Sequence, residues 1–176
     1  MKENYLIVVD VQNDFVDGAL GSPEAQAAVP FIVKKVENFD GVVLFTRDTH
    51  SENYLSTQEG KYLPVVHCVE DTPGWELIDP LKAYAEHRGS AIYNKPSFGN
   101  TSISQDIKAL YDLGNVESVE FIGLDTDICV ISNALILKSA VPELPVYLDP
   151  LCCAGSTPEK HEAALAVMRS CQILVK

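Results

Sequence analysis

Short unbroken apolar runs alternate with amphipathic stretches along the whole chain. The first run, residues 5–9, is closed by Asp10; a looser segment follows, then a helical pattern over 24–38. The second run, 42–46, is closed by Arg47-Asp48. Residues 51–74 are irregular, and a short helix is predicted over 75–85. A third strand over 91–93 is closed by Asn94-Lys95, and 102–113 reads as a helix. The fourth strand, 118–122, has Gly123 behind it and a helix over 128–139 after it. A strand at 146–148, a helix at 158–169 and a strand at 172–175 complete the pattern.

Apolar runs that do not alternate suggest strands buried on both faces. Their alternation with helices suggests parallel βαβ units. The expected architecture is a three-layer α/β/α sandwich around a doubly wound, mostly parallel six-stranded sheet. With no repeat, linker or low-complexity tract, residues 1–176 read as one domain. Sites in such sheets form outside the carboxyl ends of the strands. Asp10, Asp48, Lys95 and the segment 123–129 all fall at predicted strand ends, so one edge of the sheet can gather them.

Composition narrows the function classes. Hydrophobic residues are 47% and charged residues 22% of 176, ordinary for a globular protein. At this length folding buries about 70% of the unfolded chain's surface, so no staples are needed. The net charge of −12 repels phosphate backbones and anionic lipid. Neither nucleic acid nor a membrane is therefore an expected partner. The run at 5–9 is too short for a signal-peptide core or a span, so a cytoplasmic protein is expected. The five cysteines form no C-x-x-C pair, which argues against a zinc knuckle or a thioredoxin motif. Cys152-Cys153 reads as packing.

Candidate chemistry concentrates in four places. Cys129 lies in GLDTDICV, where Asp125, Thr126 and Asp127 are helix N-cap candidates. A cysteine in the following first turn would face unpaired N–H groups, which lower a thiol pKa and can hold an oxyanion. From this segment alone it is equally a core cysteine. Asp10 can be a general base or a turn residue. Lys95, extended before Pro96, can stabilise a thiolate and a carboxylate or lie in solvent. Asp48 and His50 point to the same side of an extended segment. With His67, seventeen residues beyond His50, they can share a divalent metal and leave positions open. The alternative is a turn aspartate and two surface histidines. His87 and His161 receive no role.

Taken together, DVQNDF at 10–15, TRDTH at 46–50, VVHCVEDTPGWEL at 65–77, NKPSF at 94–98 and GLDTDICV at 123–130 give the chain its resemblance. It resembles the isochorismatase-like cysteine hydrolases, and among them the nicotinamidases, over essentially its whole length. The resemblance implies an Asp10, Lys95, Cys129 triad. It implies a divalent metal, zinc first with manganese or iron as alternatives, on Asp48, His50 and His67. Glu59, eleven residues after Asp48, matches an acidic fourth ligand found in some members. A non-proline cis peptide is implied at Leu124–Asp125, with the N–H groups of Asp125 and Cys129 as oxyanion donors. Phe15 matches an aromatic that lines the pocket. Thr49 stands where many nicotinamidases have an aromatic, and Pro64-Val65-Val66 where many have Trp-Pro.

The implied reaction is amide hydrolysis through a thioester: nicotinamide to nicotinate and ammonia, a step of pyridine nucleotide salvage. The implied partner is a small amide, and the family implies a homo-oligomer, dimer or tetramer. The alternatives are an isochorismatase acting on a vinyl ether, an amidase for ureido or carbamoyl compounds, and a ligand-binding homologue without catalysis. A nucleotide binder is disfavoured, because no phosphate-binding glycine loop follows the first strand.

Overall fold

A computed structural model describes residues 2–176. Six strands form one sheet: β1 (Glu3–Val9), β2 (Val42–Asp48), β3 (Ile92–Lys95), β4 (Val116–Leu124), β5 (Val146–Ala154) and β6 (Leu174–Val175). Their order is β3-β2-β1-β4-β5-β6, and every pairing is parallel. The expected "mostly parallel" sheet is thus wholly parallel. The chain steps outward from β1 to β3, then returns to β4 on the other side of β1. The sheet's topological switch therefore lies between β1 and β4, where doubly wound sheets open a crevice.

Helices cover both faces: α1 (Asn13–Val16), α2 (Pro23–Glu37), α3 (Gln58–Tyr62), α4 (Asp79–Arg88), α5 (Thr101–Asp112), α6 (Ile131–Ala140) and α7 (Pro158–Ser170). α2 packs beside α4 on one face, and α6 touches α5 and α7 on the other. Local chemistry starts each long helix. Ser22 accepts from the Ala25 N–H and Pro23 opens α2; Thr157 and Pro158 do the same for α7; Asn100 accepts from Ile103 N–H at α5. Along α2, Ala25, Ala28, Ile32 and Val36 recur at helical spacing and are buried. On β1, Leu6 to Val9 are all buried, as a doubly covered strand requires.

The boundaries depart from the sequence pattern where side chains do special work. β2 and β3 run on through Asp48 and Lys95, which pair with each other across the sheet. β4 continues through Gly123, whose positive φ of 122° and closeness to the Val9 carbonyl leave no room for a Cβ. β5 extends to Ala154 because a bulge absorbs Asp149-Pro150: the stretch from Leu148 to Cys153 lies opposite that from Phe121 to Gly123. The helix expected over 75–85 starts later, at Asp79, with Pro80 in its first turn. The irregular 51–74 region contains a 3₁₀ turn (Tyr54–Ser56) and α3. α1 was not anticipated.

Candidate active site

Asp10, Lys95 and Cys129 meet at the carboxyl edge, one each from beyond β1, from β3 and from the segment after β4. All three are buried; Asp10 and Lys95 are 0% exposed and Cys129 4%. Lys95 Nζ lies 2.6 Å from Asp10 Oδ2, 3.2 Å from Asp48 Oδ1 and 3.4 Å from Cys129 Sγ, and donates to the Ser97 carbonyl at 3.0 Å. Asp10 Oδ1 accepts from Thr46 Oγ1 at 2.6 Å. Asp10 sits at φ 50°, so the chain turns immediately after β1.

Burial dominates the titration of this set. It pushes the Asp10 carboxyl up despite the attraction of Lys95, and the nearby Asp48 charge adds to the effect. The Cys129 thiol is raised well above its usual value, first by burial and then by the Asp10 charge. Lys95 is held cationic by the Asp10 and Asp48 carboxylates against its own desolvation. The expectation of a helix end depressing the thiol is corrected here. Cys129 lies within a single π-helical turn, Thr126–Val130, ahead of α6, and is buried there. A thiol raised in this way needs a base, and Asp10, which shares Lys95 with it, is the carboxylate at hand.

The capping expectation also changes. Asp125 makes no side-chain cap. Asp127 accepts instead from Ser156 N–H and Oγ, both at 2.7 Å, and Thr126 Oγ1 lies 2.8 Å from His161 Nδ1. The nucleophile's turn is thus tied to the loop after β5 and to α7. The peptide Leu124–Asp125 is cis.

Asp48, His50, Glu59 and His67 form a second cluster, with one ligand atom from each within 4.8 Å of all the others. Asp48 Oδ2 lies 2.9 Å from His50 Nε2 and 3.5 Å from His67 Nε2. Glu59 Oε1 stands 3.6 Å from His50 Nε2 and 4.0 Å from His67 Nε2. His67 Nδ1 donates to the Val65 carbonyl at 2.7 Å, which leaves the Nε2 lone pair of a neutral ring facing the carboxylates. Two carboxylates and inward-turned imidazole nitrogens repel one another unless a proton or a cation sits among them. The donor set therefore fits a divalent metal.

Residues that received no role in the sequence hold this cluster. Gln12 Oε1 accepts from the Asp48 N–H at 2.7 Å, and its Nε2 donates to the carbonyls of Asp48 and Trp75. Tyr54, wholly buried, packs against both His50 and His67. Asp14 Oδ2 accepts from the Cys68 N–H at 2.7 Å and so anchors the loop next to His67. DVQNDF is one clamp, since Asp10, Gln12 and Asp14 serve three different neighbours. Asp14→Ala leaves the Cys68 N–H without its acceptor. It is expected to cost about 1–3 kcal/mol in calorimetry and to weaken divalent-metal binding about 10–100-fold in a titration.

Both clusters open into one cavity of about 280 Å³. Phe15, Leu63, Phe98 and Ile128 give it apolar walls, and Asp48, Glu59, His67, Asp125 and Cys129 give it polar ones. Its size and mixed lining suit a small planar molecule with a few fixed polar points. A larger groove of about 440 Å³ beside α2, lined by Phe31, Lys35 and Glu120, holds none of the predicted residues.

A sheet edge that buries a thiol beside a lysine and a base, with a cavity of mixed lining above it, defines the class of cysteine-dependent hydrolases. The chain belongs to the isochorismatase domain family, whose model matches residues 4–175. It is 32% identical to the nicotinamidase of Schizosaccharomyces pombe over 97% of this chain and 91% of that one. Among solved structures, the pyrazinamidase of Pyrococcus horikoshii in complex with zinc is 30% identical with a TM-score of 0.76, covering 99% of this chain and 98% of that one. The pyrazinamidase/nicotinamidase of Streptococcus mutans is 25% identical with a TM-score of 0.82, covering 98% and 99%. Among the described residues no helix is long and apolar enough to cross a membrane.

Proposed function

We propose that this chain hydrolyses nicotinamide to nicotinate and ammonia through a thioester on Cys129. The observation that carries the proposal is Lys95, a wholly buried cation 2.6 Å from Asp10 and 3.4 Å from the Cys129 sulfur. Desolvating a lysine costs several kcal/mol, and a thiol to be ionised beside a base gives that burial a purpose. The nicotinamidase relatives support the choice of amide.

Asp10 takes the thiol proton, and the thiolate attacks the carboxamide carbon. Lys95 holds Asp10 and the sulfur in register throughout. The N–H groups of Asp125 and Cys129 receive the developing oxyanion. The C–N bond then breaks, and Asp10 returns its proton to the departing nitrogen, which leaves as ammonia. Asp10 next accepts a proton from water as that water attacks the thioester, releasing nicotinate and restoring the thiol.

Asp48, His50 and His67, with Glu59, would hold the divalent metal, zinc first. When bound it would supply a Lewis-acid point for a ring nitrogen. The zinc of the Pyrococcus horikoshii enzyme supports that choice. Phe15 walls the ring site. Treatment with a chelator is expected to raise KM for nicotinamide several-fold, and added zinc to restore it, in initial-rate assays. One domain over residues 1–176, a cytoplasmic location and a homo-oligomeric assembly complete the proposal.

The experiment compares initial rates on protein supplied with zinc: ammonia release from nicotinamide and from ureido compounds, and pyruvate release from isochorismate. Preferential turnover of nicotinamide supports the reading; preferential turnover of another compound replaces it. The pH profile adds a second check. Asp10 must be ionised to accept the thiol proton, and burial raises its pKa above 3.8. The acid limb of kcat/KM is therefore expected above that value, and Asp10→Asn is expected to abolish most turnover at every pH.

A further inference from the structure

The acidic groups along this sheet edge are engaged, with one exception. Asp10 and Asp48 face Lys95, Asp14 accepts from Cys68, and Asp127 accepts from Ser156. Glu59 faces the two histidines. Asp125 also lines the cavity, and among the described residues its carboxylate has no hydrogen bond and no ion pair.

Its place in the fold says what it can meet. The cavity runs along the strand ends, and β1 separates β2 from β4. The metal cluster stands on the β2 side, whereas Asp125 follows β4, and Ser156 and Lys160 follow β5. Asp125 also carries, on the same residue, one of the N–H groups assigned to the oxyanion. Its side chain therefore starts one bond from the donor that holds the carbonyl oxygen. A substrate group within its reach lies a few bonds from that carbonyl.

We infer that Asp125 is a specificity residue that accepts a hydrogen bond from an amino or N–H donor on a ring atom flanking the one that bears the carboxamide, so that a carboxamide with such a donor is turned over faster than its methyl analogue. The inference rests on the amide-hydrolase reading above. Burial, followed by the charge of Asp127, pushes the Asp125 carboxyl up to about 7. A donor from the ligand would favour its ionised form.

In pyridine-3-carboxamide the carboxamide is carried by ring carbon 3, whose flanking positions are 2 and 4. The probes are the 2- and 4-amino derivatives, each paired with the methyl derivative of the same shape, and nicotinamide as reference. Ammonia release gives kcat/KM for each on wild type, Asp125→Ala and Asp125→Asn, all loaded with zinc. For one ring position, the amino compound is expected to exceed its methyl partner at least about tenfold on wild type. On Asp125→Ala that ratio should fall to about one, with Asp125→Asn in between. The ratio is read on a single preparation, so a partly folded variant does not distort it, and Asp125→Asn serves if the alanine variant fails to fold. A wild-type ratio near one at both positions, or a ratio that survives in the variants, overturns the inference while nicotinamide turnover leaves the reaction standing. No ammonia from any of these compounds overturns the assigned reaction itself.

Discussion

Replacing Cys129 by alanine is expected to lower kcat/KM for amide hydrolysis about 10⁴-fold or more while leaving the fold intact. Residues that act as a unit in covalent catalysis lose nearly all of the acceleration when the nucleophile goes. What remains is binding and whatever the oxyanion donors give an attacking water. Stability should change little. The side chain loses one buried atom, Lys95 keeps Asp10, Asp48 and the Ser97 carbonyl as partners, and the turn stays tied through Asp127 and Thr126. Ammonia assays read the activity and calorimetry the melting temperature. A folded Cys129→Ala protein with more than a few per cent of wild-type turnover would remove the nucleophile from the account.

Lys95→Met is expected to damage both activity and fold. The methionine fills the space, but Asp10 and Asp48 then share a buried site without their common cation. Removing one partner of a buried ionic set costs about 3–5 kcal/mol. The cost also depends on pH, and its sign follows from the carboxylates left behind. Without Lys95 the Asp10 carboxyl rises further above its unfolded value, so the native state binds a proton that the unfolded chain does not. Stability contributed by a group of that kind is lost as pH rises. The melting temperature of the variant should therefore fall furthest below wild type near neutral pH and recover part of the gap toward about pH 5. Parallel melts of the two proteins at both values check this.

How much of this was legible in the sequence differs from element to element. β1 and β2 announced themselves because a doubly covered strand is apolar without interruption. β5 showed only its first three residues, since Asp149-Pro150 break the apolar run at a bulge that pairing alone reveals. The triad and metal candidates could be named because each ends a strand or sits in a recognisable motif. Gln12, Thr46 and Tyr54 could not, because their work is done across the fold on neighbours far away in sequence. A polar Gln12 three residues beyond a buried strand was the one available signal. Thr126 and His161 are a similar case: a pair 35 positions apart needs the packing of α7 to bring it together. The upward shift of the thiol was also hidden, because a helix start was visible in the sequence and the depth of burial was not.

The central claim is that the acyl group of the amide passes through the Cys129 sulfur. Zinc-loaded protein mixed with nicotinamide, quenched in acid within the first turnovers and digested for mass spectrometry tests it most directly. The account predicts a nicotinoyl group on the Cys129 peptide, absent from Cys68, Cys152, Cys153 and Cys171 and discharged by hydroxylamine. A nicotinoyl group carried by another residue, with Cys129 unmodified while ammonia is released, would contradict it.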